Sequence, residues 1–274
     1  MGWRLRILPG LIASLVLAAC GGGSIPGPDA PRAAPLVCAA EPPPGGMVAA
    51  MVNVAEGEWR AFGSPVVDFR GGAPSLNPPG LDETDSRVRG RLQLYWRAAA
   101  DDHGLKMGAS DVPELSPWSA AFVSYVACMA GISPADLPPA SRHLDYVDHV
   151  IFRALGTQGD LTARFVPADP HETSIRPGDL LCADRGRAEG GPELDDWHQR
   201  AREVLDARAR GWDTRPRGMH CDLVVRVGPG TIAAIGGNVR DRVAMSLFPA
   251  DAAGRPIPVR GTPHWFVTLA AVDH

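Results

Sequence analysis

The chain has 274 residues, with 27 Lys or Arg against 31 Asp or Glu, so its formal net charge is −4 at pH 7. This balance provides no basic surface for the phosphates of a nucleic acid or for polybasic attachment to a membrane. The length suits one sizeable domain, and the sequence shows no internal repeat. We therefore expect no nucleic-acid partner.

The first residues resemble a bacterial lipoprotein signal. Two arginines precede an apolar stretch, residues 7–19, which is too short to span a bilayer and ends in Leu17-Ala18-Ala19-Cys20. The pattern predicts a signal peptide over residues 1–19 and a lipidated Cys20 that anchors the mature protein to a membrane. A plain secretory signal or an uncleaved anchor is the alternative. Gly21, by resemblance to envelope lipoproteins, favours the periplasmic face of the outer membrane.

A flexible tether is predicted over residues 20–46. This segment consists mostly of Gly, Pro and Ala, so it cannot bury a core. The folded domain is expected over residues 47–274, held within reach of the cell wall.

Helical periodicity comes before strand periodicity along the domain. Helices are predicted from Met47, from a cap at Thr84 or Asp85, from a Ser116 cap to Ala130, and around residues 144–155. Strands are predicted over residues 178–182, 221–227, 231–235, 242–248 and 264–269. This order predicts an α+β fold with an antiparallel sheet.

An inserted helical segment is predicted at about residues 184–219. Apolar side chains there recur at helical spacing, at Leu194, Trp197, Ala201, Val204 and Leu205. We expect the helix to pack against the domain; the alternatives are that it covers a cleft or presents Trp197 to a glycan.

Four sequence blocks carry a family resemblance. Residues 118–126, 176–181, 220–225 and 235–238 read WSAAFVSYV, RPGDLL, HCDLVV and IGGN. In order and spacing they resemble the CHAP and NlpC-type amidases of the papain-like superfamily, and more closely the bacterial family DUF2272. The resemblance implies a papain-like domain with N-terminal helices packed on the sheet. It also implies cleavage of amide bonds in peptidoglycan.

The same resemblance suggests a catalytic set: Ser119 as nucleophile, His220 as base and Asn238 as orienting residue. The similar amidases use cysteine where this chain has Ser119, and a hydroxyl must lose its proton to a base as it attacks. Asp222 is expected to support His220, because residues two apart on a strand share a face. The alternative is a non-catalytic envelope module that binds wall peptide or a protein partner through the same cleft.

Two further residues are candidates for binding, and one cluster is considered as a metal site. Trp118 adjoins the nucleophile, and His143 lines the cleft unless it is a capping or surface residue. The candidate metal site is a cluster of side chains of the types that bind zinc: His220, Cys221, Asp222 and Cys182. Consecutive strand residues point to opposite faces, however, so we expect no metal and no cofactor.

Four cysteines remain after lipidation of Cys20, namely Cys38, Cys128, Cys182 and Cys221. An oxidising envelope favours disulfides, and four cysteines allow three pairings. In CHAP-like sheets the strand after Gly-Asp adjoins the strand with the histidine. The resemblance thus favours Cys182–Cys221 and leaves Cys38–Cys128. The alternative is that several are buried free thiols.

Overall fold

The computed structural model describes residues 36–71, 73–100, 116–156, 162–186, 192–214 and 216–273. The predicted signal peptide, Cys20 and the tether up to residue 35 lie outside these ranges. Within them, no helix is both long and apolar enough to cross a membrane.

Five helices are present in the described ranges: α1 Gly46–Ala61, α2 Arg89–Ala100, α3 Ser119–Met129, α4 His143–Gly156 and α5 Trp197–Ala209. Each was predicted from apolar spacing, but two of the predicted caps are wrong. Trp118, not Ser116, is the N-cap of α3, and it makes no side-chain capping hydrogen bond. Asp85 accepts a hydrogen bond from the Arg87 amide in a turn that precedes α2, so the helix begins later.

The strands form one sheet of eight in the described ranges. They are β1 Val66–Asp68, β2 Ser75–Leu76, β3 Phe165–Ala168, β4 Leu180–Asp184, β5 Met219–Gly228, β6 Thr231–Gly236, β7 Ala244–Pro249 and β8 Trp265–Ala271. Their order across the sheet is β2-β1-β7-β6-β5-β4-β8-β3. The α+β class is confirmed. The sheet is antiparallel except that β1 pairs with β7 in parallel, which corrects the prediction of a purely antiparallel sheet.

Helix α3 lies at the centre of the main core. Every residue from Ser119 to Cys128 is buried, and α3 contacts α1, α2, β5 and β6. A helix that is apolar on all sides needs such surroundings. The packing therefore holds the first residue of α3, Ser119, in a fixed position against the sheet.

Both disulfides pair as the resemblance implied. Cys182 and Cys221 lie directly opposite each other on β4 and β5 and are bonded. Cys38 is bonded to Cys128 at the end of α3, and the Ala39 amide donates to the Cys128 carbonyl oxygen at 3.0 Å. The structured part therefore extends back to Cys38, inside the segment predicted as tether.

Helix α5 of the inserted segment packs against the domain, as expected. Ala201 and Val204 are buried, and Trp197 packs on the main core instead of being offered to a ligand. Arg200 is fully buried and forms an ion pair with Asp148 of α4 at 2.7 Å. The ion pair and the apolar stripe together attach α5 to α4.

Candidate active site

Three elements bring the polar residues of the candidate site together. Ser119 begins α3, His143 begins α4, and His220 and Asp222 lie near the start of β5. Alternation along the strand places His220 and Asp222 on one face and Cys221 on the other. The Cys182–Cys221 disulfide therefore fastens β5 to β4 between the two site residues without occupying their face.

The site is a continuous chain of hydrogen bonds. Ser119 Oγ lies 2.8 Å from His220 Nδ1, and His220 Nε2 lies 2.7 Å from Asp222 Oδ1. On the other side, His143 Nε2 lies 2.8 Å from the same Ser119 Oγ, and His143 Nδ1 contacts the Tyr146 hydroxyl. All five groups are buried.

Only one arrangement of protons satisfies every bond when Asp222 is ionised and His220 is neutral. The carboxylate can only accept, so His220 carries its proton on Nε2 and accepts the Ser119 hydroxyl proton at Nδ1. Ser119 Oγ then accepts from His143 Nε2–H, and His143 Nδ1 accepts from the Tyr146 hydroxyl. All protons in the chain point the same way, from Tyr146 towards Asp222.

The surroundings of His143 and Tyr146 favour these protonation states. Burial, followed by the nearby His220 and Arg185, holds the pKa of His143 well below its usual value. Burial, followed by the charges of Asp222 and Asp145, raises the pKa of Tyr146 well above its usual value. At neutral pH, His143 is thus a neutral donor at Nε2 and Tyr146 keeps its proton.

Two glycines of the IGGN block create the space that the site needs. A Cβ on Gly236 would lie 1.8 Å from Asp222 Oδ1, so only glycine lets this carboxylate lie against β6. A Cβ on Gly237 would lie 2.4 Å from Phe122 Cβ, so the second glycine lets α3 approach the sheet closely. These two glycines therefore determine the positions of Asp222 and α3.

A cavity of about 170 Å³ opens beside Ser119 and is lined by His143, His220 and Asn238 among others. A second cavity of about 550 Å³ adjoins it, because Arg185 and His220 line both. Ser119 thus lies at a small cavity rather than in a filled core.

The structure places the predicted orienting residues differently. Asn238 lines the cavity, with a left-handed backbone at φ 55°. Asp222, expected to support His220, is the residue that contacts His220 Nε2. His143, expected to line the cleft unless it is a capping or surface residue, is buried and contacts Ser119.

Trp118 does not have the predicted binding position. Its side chain is 1% exposed, packs against Phe62 and Tyr95, and donates its indole N–H to Glu83 at 2.6 Å. A residue so placed has no free surface for a substrate. Trp118 instead anchors the start of α3.

The two cysteines of the candidate zinc site form a disulfide instead. Cys182 and Cys221 are joined to each other, so neither offers a thiolate to a metal. Across the described ranges, no group of three or more His, Cys, Asp or Glu side chains has the geometry to hold a metal ion.

Sequence reasoning missed Tyr146 and assigned no individual role to Gly236. Tyr146 follows His143 by three residues, so their contact was predictable once α4 was assigned to start at His143. Gly236 acts through its contact with Asp222 on the neighbouring strand, and the sequence contains no local signal for that contact.

Comparison with known proteins identifies the family. A family model described as an uncharacterized protein conserved in bacteria, DUF2272, matches residues 86–266. The chain belongs to this family. The matched range of the DUF2272 protein includes every residue of the hydrogen-bond chain. No curated protein and no solved structure matches the chain.

Proposed function

We propose that this DUF2272 protein hydrolyses amide bonds, with Ser119 as nucleophile and His220 as general base. The observation that carries the proposal is the 2.8 Å contact between Ser119 Oγ and His220 Nδ1, with Asp222 at the opposite ring nitrogen. A nucleophile, a base and a residue that orients the base are the parts that acyl transfer requires.

In the first step, Ser119 Oγ attacks the substrate carbonyl as its proton passes to His220 Nδ1. Asp222 stabilises the imidazolium that forms, which the amide of Asn238 cannot do. His143 donates to one lone pair of Oγ and the proton points to His220, so the remaining lone pair is free to attack. Two imidazoles thus fix the position of Oγ.

Charge develops on the substrate carbonyl oxygen during this attack. The N-cap residue, Trp118, makes no side-chain capping hydrogen bond, and Ala120, in the first turn of α3, lines the cavity. The backbone N–H groups of Ser119 and Ala120 are therefore assigned as donors to the oxyanion. The helix dipole adds favourable potential at the same point.

In the second step, His220 returns its proton to the leaving amine and then deprotonates a water that attacks the acyl-enzyme. It passes this second proton to Ser119 Oγ as the ester bond breaks. When Ser119 Oγ leaves, His143 Nε2–H already donates to it and stabilises the departing oxygen. His143 thus assists deacylation, and Tyr146 keeps His143 in the tautomer that can do so.

Peptidoglycan peptide or a related peptide is the substrate class that we propose. What supports it is the resemblance of the four blocks to CHAP and NlpC-type amidases, which also underlies our proposal of a papain-like domain. Consistent with that domain, β4, the strand after Gly-Asp, adjoins β5, which carries the histidine. We also propose that a lipidated Cys20 anchors the protein to a membrane.

The test is incubation of the protein with soluble peptidoglycan fragments, followed by mass analysis of the products. We expect new amine and carboxyl ends from the parent and none from Ser119→Ala. Ser75→Ala, which removes an exposed hydroxyl from β2, is the control and should act as the parent does. Equal cleavage by parent and Ser119→Ala would refute the assignment of the nucleophile.

A second candidate is a module that binds wall peptide or a protein partner without cleaving it. The observation that favours it is the small size of the cavity, about 170 Å³, beside a Ser119 that is only 7% exposed. Binding of the fragments by both the parent and Ser119→Ala, with no products from either, would establish this candidate instead.

The membrane anchor is tested separately. Cys20→Ala should leave an unprocessed precursor without lipid, because acylation requires that thiol. Detergent partitioning of cell extracts measures the change. Unchanged partitioning and migration of the variant would show that the protein is not a lipoprotein.

A further inference from the structure

The cavity at Ser119 is lined by three cations, Arg142, Arg185 and Arg217. Among the described residues, no Asp or Glu lines it. Such a wall attracts a negatively charged group, and the concave shape strengthens the attraction.

Two of these arginines already have partners. Arg217 pairs with Asp184 at 2.6 Å and with Glu203 at 2.9 Å. Arg142 pairs with Asp145 at 2.8 Å. Their charges are largely neutralised, so neither is the primary binding group for a substrate.

Arg185 differs from them because its guanidinium has no hydrogen-bond or ion-pair partner within the described ranges. It directly follows β4, where its backbone N–H donates to the Gly218 carbonyl oxygen at 2.7 Å. Arg185 lines both cavities beside His220.

The two carboxylates that line the larger cavity among the described residues, Asp184 and Glu193, have other partners. In the larger cavity, Glu193 lies 3.2 Å from His264 Nδ1. Asp184 is held by Arg217 and accepts from the backbone N–H groups of Gly186 and Leu194. The free cation therefore lies where the two cavities meet, next to the proposed base.

We propose that Arg185 binds a carboxylate of the substrate, so that the enzyme selects peptides with a free carboxylate close to the scissile amide. This inference rests on the proposed function and names the substrate class of the same site. A guanidinium can bind a carboxylate through two parallel N–H···O bonds, which fixes the orientation of the peptide as well as its affinity.

The test measures binding to Ser119→Ala, which cannot turn the ligand over, by titration calorimetry at low salt. The probes are N-acetyl-D-alanyl-D-alanine and its C-terminal amide, which differ only in the carboxylate. We expect the acid to bind about tenfold more tightly or better. Adding Arg185→Gln to Ser119→Ala should bring the two affinities together, whereas Arg185→Lys should keep part of the preference.

Arg202→Gln, which removes an exposed cation from α5, is the matched control and should leave the preference unchanged. Equal affinity for acid and amide, a preference unaffected by Arg185→Gln, or no binding of the acid would overturn the inference. Turnover by the parent is a separate measurement. A preference that depends on Arg185 with no turnover would refute the hydrolase, and turnover without the preference would refute only the carboxylate site.

Discussion

Asp222 occupies the space that a side chain on Gly236 would fill, because an added Cβ would lie 1.8 Å from the carboxylate oxygen bonded to His220. The two residues lie on adjacent strands, β5 and β6. The carboxylate can therefore take its position only because residue 236 is glycine. The carboxylate in turn orients His220.

Gly236→Ala should lower the rate of amide hydrolysis on the order of 10²-fold, because the displaced carboxylate no longer orients His220. Product formation from peptidoglycan fragments measures the change. Gly228→Ala, at the end of β5 with nothing within 4 Å of the added Cβ, is the matched control. Similar rates for both variants would show that Asp222 does not need this space.

Tyr146→Phe should slow hydrolysis by about tenfold, because His143 Nδ1 loses its donor and the ring can then take the tautomer that no longer donates to Ser119. Tyr125→Phe removes the hydroxyl of another buried tyrosine, one that bonds to Glu58 outside the hydrogen-bond chain, and should keep the parent rate. Hydrolysis assays of both variants, with thermal unfolding to compare their stability, provide the measurement. An unchanged rate in Tyr146→Phe would remove Tyr146 from the mechanism.

The lowered pKa of His143 predicts a loss of stability in acid. An unfolded histidine takes up a proton as the pH falls below about 6.5, whereas buried His143 resists protonation, so acid favours the unfolded chain. His143→Gln should therefore lose less unfolding free energy than the parent between pH 7 and pH 5. Urea unfolding at both pH values measures this. His198→Gln, at an exposed histidine, is the control and should lose as much unfolding free energy as the parent. An equal loss in His143→Gln would contradict the prediction.

Ser119→Cys should produce a thiol with an unusually low pKa, since a neutral His143 donor and His220 both contact its position. We expect alkylation by iodoacetamide at pH 6 to be faster than for Ser75→Cys, an exposed thiol of ordinary environment. Peptide mass analysis of the modified site gives the rates. A slower reaction than the control would show that the pocket does not activate a nucleophile.

The two disulfides should differ in their effect on activity more than in their effect on stability. Loop-closure entropy gives about 4 kcal/mol for Cys182–Cys221 and about 5 kcal/mol for Cys38–Cys128, with separations of 39 and 90 residues. Paired alanine variants, compared by urea unfolding, test this. Only the variant without Cys182–Cys221 should hydrolyse the substrate more slowly than its loss of folded protein explains. The reason is that Cys221 lies between His220 and Asp222. Equal rates in both variants would contradict this.

The elements with strong periodicity were predictable from the sequence. The five helices and the strands from β4 to β8, except their exact ends, follow from apolar spacing and from Gly and Pro boundaries. Strands β1, β2 and β3 were missed because two to four residues are too few to show alternation. Their pairing depends on distant strands, as the parallel contact of β1 with β7 shows.

The roles of Asn238 and Asp222 show where sequence reasoning about the site reached its limit. Spacing on β5 correctly places Asp222 on the face of His220, and the family resemblance suggests Asn238. Deciding which of them reaches Nε2 depends on how β6 packs beside β5, and no local pattern encodes that. The contact of His143 with Ser119 likewise depends on how α4 docks against α3.

The Cys38–Cys128 bond determines how a mechanical load would enter the domain. Any pull on the residues before Cys38 is transferred by a covalent bond to the carboxyl end of α3. The load therefore does not pass through residues 39–45 or α1. Ser119, at the other end of the same helix, lies about 14 Å away at about 1.5 Å of rise per residue. Tension would thus enter the domain at the carboxyl end of the helix that begins with the proposed nucleophile.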